Sequence, residues 1–478
     1  MCDAQVSKAK GKRQRAKEVK EATEAKAPAR RLLLLLLLLL PFAFCLLPFR
    51  VYAERFGYPP EEFTARRARL VTALRAQVAD RGTVILFGAS TPTPGVRFRQ
   101  DHDFYYLTGS EALNAVLVMD VPSGDAHLFM PKLSATQVQF NGGNWLEESD
   151  AAKKYGFTSV QPLSALAEFL MTKRQRDGAG ATMWVRLSDR DEIDQSRGEI
   201  RTGITRRRAN PFAQYPTEDG ARAAALRGEY SAGDFRDVTP HIDRLRLIKS
   251  AREIEILRYN GRISAEAMVR AIRAAAPGRF EYELEAEATG WLIKHGLQAA
   301  AYPAIVGSGP MGNQWHYQDN GRQMKAGELI VMDYAGSLDY LTVDITRTWP
   351  VSGRFTDQQR RAYDAVLATQ KAIIAAIKPG AARIVVRRIA EDTMRAQGFD
   401  PRYANSGHYV GLSVHDVGDS NLPFAEGMVL AIEPIIDLPE QQLHVRIEDT
   451  VLVTATGVEV LSTAVPKEVN ELLALMKR

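Results

Sequence analysis

GELIVMDYAGSLDYLTVDITRTW, Gly327 to Trp349, consists of two runs rich in aliphatic, β-branched and aromatic residues, broken at Gly336-Ser337. Runs of that composition around a small-residue break predict adjacent strands. Asp333 lies inside the first run and Asp344 inside the second. An aspartate inside an apolar run is costly to bury unless it is paired or bound to a metal. The stretch therefore predicts two strands that deliver one carboxylate each to a buried, cation-seeking site.

Toward the C-terminus, three more ligand-type residues lie in or beside short apolar runs: His408 in NSGHYVGLSVHDVG, Glu433 in GMVLAIEP and Glu448 in HVRIEDTVLV. Arg446 and Arg347 are the obvious cationic partners in sequence, too few for the whole set. A mostly oxygen set with one imidazole suits Mn(II), Co(II) or Zn(II) rather than a thiolate-selected metal. Each carboxylate offers two oxygens and can bridge. Two ions roughly 3.5–4 Å apart hold a water between them and deprotonate it near neutral pH. The five residues predict metal-assisted hydrolysis.

The chain resembles the pita-bread metallopeptidases, in their Xaa-Pro aminopeptidase and prolidase branch. The matching stretches, in order from Phe98 to Asp449, are FRQDHDFYYLTG, RLIKSAREIEILR, YPAIVGSGPMGNQWHY, VDITRTWPVSGRFTDQQR, HYVGLSVHDVG and RIED. The resemblance implies an α+β fold in which a pita-bread metallopeptidase catalytic domain follows a creatinase-like α/β N-terminal domain. It implies two divalent metal ions, foremost Mn(II), with Asp333 a terminal ligand of one, Asp344 and Glu448 bridging, and His408 and Glu433 on the other. Glu433 is also implied as the proton shuttle. His316 and His415 match two histidines implied to meet the scissile carbonyl and stabilise its developing charge, and Arg446 an arginine paired with a ligand carboxylate. His444 and Asp416 stay open, Asp416 as a turn residue or the partner of an imidazole.

The activity so implied is a metallo-aminopeptidase, a hydrolase that releases the N-terminal residue before a proline by attack of a dinuclear metal-bridged hydroxide. An Xaa-Pro dipeptidase (prolidase) is the alternative, and a non-catalytic peptide-binding member of the fold the more distant one. Implied partners are peptides with proline second and further copies of the chain, as dimer or tetramer. Two departures fall near the substrate. A histidine expected four residues before His408 is replaced by Ala404, and the expected Glu-Pro-Gly reads Glu433-Pro434-Ile435. Both put strict proline specificity in question.

At 478 residues with 45% apolar content, the chain can bury more than one core. Residues 1–53 are read as a leader. Nine leucines from Leu32 open an eighteen-residue apolar stretch between Arg31 and Arg50, which lies between a signal-peptide core and a membrane span. Val51-Tyr52-Ala53 offers a cleavage site, and Pro41 and Pro48 disfavour a straight spanning helix. The expectation is a cleaved signal peptide and an exported, periplasmic or secreted protein, with a retained membrane anchor at residues 32–49 as the alternative. The leader holds eleven of the 62 Lys and Arg and four of the 57 Asp and Glu. Beyond it 51 basic residues face 53 acidic ones, so the basic pI does not point to nucleic acid. Both cysteines, Cys2 and Cys45, also lie there, which excludes a thiol nucleophile from the remainder.

Residues 54–243 alternate a helical pattern, EEFTARRARLVTALRAQVADR, with apolar runs such as TVILFGAS, AVLVMDV and AHLFMPK, the mark of an α/β domain. Arg201 to Asp234 reads as a long loop or weak helix, with Arg206-Arg207-Arg208 as a solvated face. Residues 244–478 form the second domain. Helices are expected through Ile254, Leu257, Ile263 and Met268 up to Pro277-Gly278, from Glu281 to Lys294, and from Thr356 to Ile377.

Overall fold

Apolar alternation in the N-terminal half builds a six-stranded sheet of β1 (Gly82–Phe87), β2 (Val116–Asp120), β3 (Ala126–Met130), β4 (Ser159–Pro162), β5 (Thr182–Val185) and β6 (Asp234–Asp237). Its order is β4-β3-β2-β1-β5-β6. Both faces are covered. Val84 and Leu86 of β1 join one buried cluster with Leu70, Val71 and Leu74 of the helix Pro60–Arg75, while Ile85 points into a second with Leu170 and Tyr230. The period-two alternation of a strand is what divides the two cores. The computed structural model describes residues 57–77, 81–91 and 97–477. The leader, its leucine run and its cleavage site lie outside these residues. Among the described residues no helix is long and apolar enough to cross a membrane.

Arg201 to Asp234 is more ordered than its composition suggests. It holds most of the helix Arg197–Arg208 and all of the helix Glu218–Glu229. Each begins at a hydroxyl cap, Ser196 closing a capping box with Glu199 and Thr217 accepting from Gly220 N–H. Only Ala223 is buried along the pair, so neither shows the apolar stripe by which a helix is recognised in sequence.

The helix Thr239–Leu247 leads into the second half. Ala251–Ala274 starts at a Ser250/Glu253 capping box and buries Ile256, Leu257, Ile263 and Met268. Glu281–Lys294 forms with the expected bounds, and Thr356 and Ile377 are the caps of the helix Asp357–Ala376. With Arg383–Ala396, these helices surround small antiparallel sheets. The strands are β7 (Ala299–Ala300), β8 (Ile305–Ser308), β9 (Leu329–Asp333), β10 (Gly336–Leu338), β11 (Leu341–Thr342), β12 (Thr346–Pro350), β13 (Val429–Ile432), β14 (Ile435–Leu438), β15 (Leu443–Arg446), β16 (Asp449–Val453) and β17 (Val458–Val460). They pair in the orders β11-β10-β7, β12-β9-β8, β13-β16-β17 and β14-β15.

Two expectations about Gly327–Trp349 are corrected. Gly336-Ser337 is not the break; both residues are in β10, and the chain turns at Asp339-Tyr340, whose φ angles are 46° and 71°. Gly336 is small for another reason. A Cβ there would lie 2.1 Å from Leu297 Cδ2, so the position serves close packing. The strained turn is held from outside: the Asp339 carboxylate accepts from Gly57 N–H at 2.6 Å and from Gln298 Nε2 at 2.9 Å, and Tyr340 stacks on Tyr105. Second, only Asp333 is delivered by a strand. Asp344 lies in the connection between β11 and β12.

Candidate metal centre

All five predicted ligands emerge at strand ends or junctions. Asp333 ends β9, where it pairs across from Thr346 of β12. Asp344 precedes β12 and is pinned by Thr450, whose Oγ1 accepts from Asp344 N–H and donates to Asp344 O. His408 is tied to β13 by the Ala431 N–H bond to its carbonyl. Glu433 follows β13, and Glu448 sits between β15 and β16 with its N–H on Thr346 O. Side chains at strand ends can converge while the ladders behind them stay paired.

The convergence is tight. His408 Nε2 lies 3.3 Å from Asp344 Oδ2 and 3.8 Å from both Glu433 Oε1 and Glu448 Oε1. Three donor groups have ligand atoms all within 4.8 Å of one another: Asp333, Asp344 and Glu448; His408, Glu433 and Glu448; and Asp344, His408 and His415. Among the carboxylates, Asp344 and Glu448 recur in two groups while Asp333 and Glu433 each occur in one.

The oxygens sort themselves in the same way. Asp333 Oδ2 is taken by Arg446 at 2.9 Å, and Glu448 Oε2 accepts from Thr346 Oγ1 at 2.7 Å. Among the described residues, Asp333 Oδ1, Asp344 Oδ1 and Glu448 Oε1 are buried with no hydrogen-bond partner. Three orphaned carboxylate oxygens in one pocket would be a heavy desolvation cost, and hard cations with oxygen preference fit them. His408 Nδ1 faces Tyr409 O at 3.1 Å. If that nitrogen carries the proton, the Nε2 lone pair is left facing the carboxylates, the arrangement of a metal-ligating histidine.

The electrostatics agree. Burial, then the charge of Asp344, pushes the Asp333 carboxyl up to about 8, and the same two causes in the same order push Glu448 well above the usual carboxylate range. Burial, the largest single influence, opposes ionisation of Asp344 too, but the bond and charge of His408, with the Tyr302 hydroxyl and the charge of His415, together outweigh it and hold the carboxyl low. At His408 burial opposes the charged ring, yet the bond and charge of Asp344 raise it to about 9. Carboxylates that resist ionising beside each other are stabilised together by divalent charge.

Around the donors, His415 packs edge-on against the His408 ring at 4.3 Å between centroids. His316 is exposed. Crowding by neighbouring atoms, then the charge of Arg446, holds its imidazole below the ordinary range. Asp416 is not the partner of an imidazole. It is buried and bonded to Arg246 Nη2 at 2.6 Å and Lys249 Nζ at 3.2 Å, because a carboxylate at that depth needs cations within reach. His444 pairs with Asp437 through Nδ1 at 2.9 Å. Arg347, the other candidate cation, is committed elsewhere, to Asp449 at 2.7 Å.

The description of metallopeptidase family M24 matches residues 255–455, and that of the aminopeptidase P N-terminal domain matches residues 63–179. The Xaa-Pro aminopeptidase of Escherichia coli (strain K12) is 30% identical over 454 residues, which cover 87% of this chain and 97% of that one. The chain belongs to metallopeptidase family M24. Among solved structures, proline aminopeptidase P II from Yersinia pestis superposes with a TM-score of 0.72 at 30% identity, covering 88% of this chain and 99% of that one. The human Xaa-Pro dipeptidase is 26% identical, covering 88% and 94%. This M24 member is thus a metallopeptidase with the aminopeptidase P-like fold and divalent-metal chemistry.

Several residues around this M24 site escaped sequence analysis. Tyr302 is buried against the carboxylates and accepts from Ile345 N–H at 3.4 Å; burial, then the charge of Asp333, drives its phenol well above the usual range. Thr346 and Thr450 fix Glu448 and Asp344 as described. Glu199, from the N-terminal half, reaches His415. Short polar residues in strands and an acid in a helix cap have ordinary structural explanations, so only three-dimensional proximity separates them from their neighbours. At the departures, Ala404 is fully buried and Ile435 is in the core.

Proposed function

We propose that the chain is a metal-dependent Xaa-Pro aminopeptidase working with two divalent ions, foremost Mn(II), on peptides whose second residue is proline. The observation that carries the proposal is the convergence of orphaned oxygens from Asp333, Asp344 and Glu448 beside the Nε2 of His408. Asp333, Asp344, His408, Glu433 and Glu448 would hold the ions, which when bound supply an activated water and polarisation of the scissile carbonyl. Arg446 holds one Asp333 oxygen so that the other is free. Glu433 takes the proton from the attacking water and returns it to the departing proline nitrogen. His316 and His415 meet the carbonyl oxygen as charge builds there. A proline imide has no N–H and a fixed ring, which is the reason a dedicated pocket is needed.

The test strips the full-length protein with chelator, restores Mn(II), and follows alanine release from Ala-Pro-Ala, Ala-Pro and Ala-Ala-Ala. Metal-dependent cleavage of Ala-Pro-Ala with Ala-Ala-Ala untouched is expected, and Asp344→Asn should abolish it. Cleavage of Ala-Pro alone would convert the reading to a dipeptidase. Equal cleavage of Ala-Ala-Ala would overturn proline specificity, the property that Ala404 and Ile435 put in question. Mn(II) is the expected best activator; greater activity with Zn(II) or Co(II) would reassign the metal.

A further inference from the structure

His415 stands on a short segment that the N-terminal half grips at Ser413 and Val414 and the second half at Asp416. Ser413 Oγ donates to Glu192 O at 2.5 Å, and Val414 N–H donates to Ile193 O at 2.7 Å. Asp416 is locked by Arg246 and Lys249. Between them, His415 Nδ1 lies 2.9 Å from both carboxylate oxygens of Glu199. Glu199 sits in the first turn of the helix Arg197–Arg208, where its Oε2 also accepts from Ser196 N–H at 2.7 Å and Ser196 Oγ at 2.8 Å. The His415 ring is therefore oriented by a carboxylate that is itself anchored by the backbone N–H of Ser196.

We propose that Glu199 is a positioning residue of the active site: by receiving the Nδ1–H of His415 it fixes the ring and its tautomer, so that Nε2 is the nitrogen presented to the substrate. A histidine has two distinct nitrogens, and the hydrogen bond at one decides what the other can do. The same logic governs carboxylate–histidine pairs in acyl-transfer sites. The N-terminal half, which holds none of the five predicted metal ligands, thereby supplies a component of the reaction. The inference rests on the role proposed above for His415.

The ordinary explanation of Glu199 is helix capping, and it makes a different prediction. Glutamine closes a capping box as well as glutamate does, but it is uncharged and puts an NH2 group, a donor facing a donor, in place of one of the two oxygens 2.9 Å from His415 Nδ1. Glu199→Gln should therefore keep the helix and weaken the hold on His415. Ser196→Ala does the reverse, weakening the cap while leaving the carboxylate. Steady-state kinetics on Ala-Pro-Ala would be measured for both variants, for His415→Ala, and for His415→Ala combined with Glu199→Gln. Glu199→Gln should lower kcat about 10–100-fold, the range for a lost partner of an oriented histidine, with KM little changed. Ser196→Ala should keep kcat, and the double variant should be no slower than His415→Ala alone. A second readout needs no turnover. In 15N-histidine-labelled, metal-free protein, the His415 ring signals, assigned by their loss in His415→Ala, should move in Glu199→Gln and stay in Ser196→Ala. Full activity of Glu199→Gln, additive losses in the double variant, or unmoved ring signals would each overturn the proposal. Full activity of His415→Ala would instead remove the role of His415 on which it depends.

Discussion

At the scale of single residues, the centre is a competition between protons and cations for the same oxygens. Asp333 is raised to about 8 from an unfolded value of about 4, so between those limits the metal-free folded state holds a proton that the unfolded chain has lost. Its contribution to stability falls as pH rises through that window. His408 acts in the same direction. Raised to about 9, it stabilises the metal-free fold fully below about pH 6.5 and loses that contribution as pH climbs toward 9. A divalent ion must displace both protons, so metal binding should tighten with rising pH and release protons. Titration calorimetry with Mn(II) at pH 6 and pH 8, in buffers of different ionisation enthalpy, should show the tighter binding at pH 8 and proton release at pH 6. Equal affinity at the two values would count against the coupled Asp333–His408 arrangement.

At the scale of elements, ligand placement depends on backbone that approaches closely at strand ends. Gly407, immediately before His408, has φ 150°, and a Cβ there would lie 2.5 Å from Ala431 O. That carbonyl belongs to the residue whose N–H bonds His408 O. Gly407→Ala should push His408 away from β13, costing about 1–3 kcal/mol in backbone strain and weakening metal binding at least about tenfold. Metal titration and urea unfolding of the variant measure the two effects; unchanged metal affinity would show that His408 does not depend on this contact. The elements themselves were largely legible. The helix Glu281–Lys294 announces itself by the period of Leu284, Ala288 and Leu292, and Asp357–Ala376 by period and by its Thr356/Gln359 capping box. The helix Arg197–Arg208 does not, because it buries no apolar side chain and is held by its Ser196/Glu199 box and by the ion pairs of Arg197 with Asp103 and Asp243.

At the scale of the whole molecule, the two halves are joined by buried charge. Arg246 reaches Asp103 at 2.8 Å, Asp191 at 2.6 Å and Asp416 at 2.6 Å, with His102 bonded to Asp191 at 3.0 Å. Arg246→Met would leave three buried carboxylates short of their shared cation. Breaking such a network costs about 3–5 kcal/mol, and because Asp416 neighbours His415, turnover should fall along with the urea midpoint. A variant as stable as the parent would mean that Arg197 and Lys249 suffice to hold the junction.

Asp333, Asp344, His408, Glu433 and Glu448 could be singled out from sequence as candidate donors because an ionisable residue inside an apolar run is a local anomaly, visible without knowing its neighbours in space, and the fold brings the five together. Helix bounds were readable for the same reason, since periodicity and caps are local. What tertiary structure alone decided are the relations between distant residues. Glu199 meets His415 across 216 positions and Arg246 meets Asp416 across 170. Gly336 is small because Leu297 packs onto it, and the turn at Asp339-Tyr340 is tolerated because Gln298 and Gly57 hold it. In each case the energy that selects the residue comes from a contact made only after the chain has closed on itself, so its cause is spread over two places in the sequence and is legible at neither.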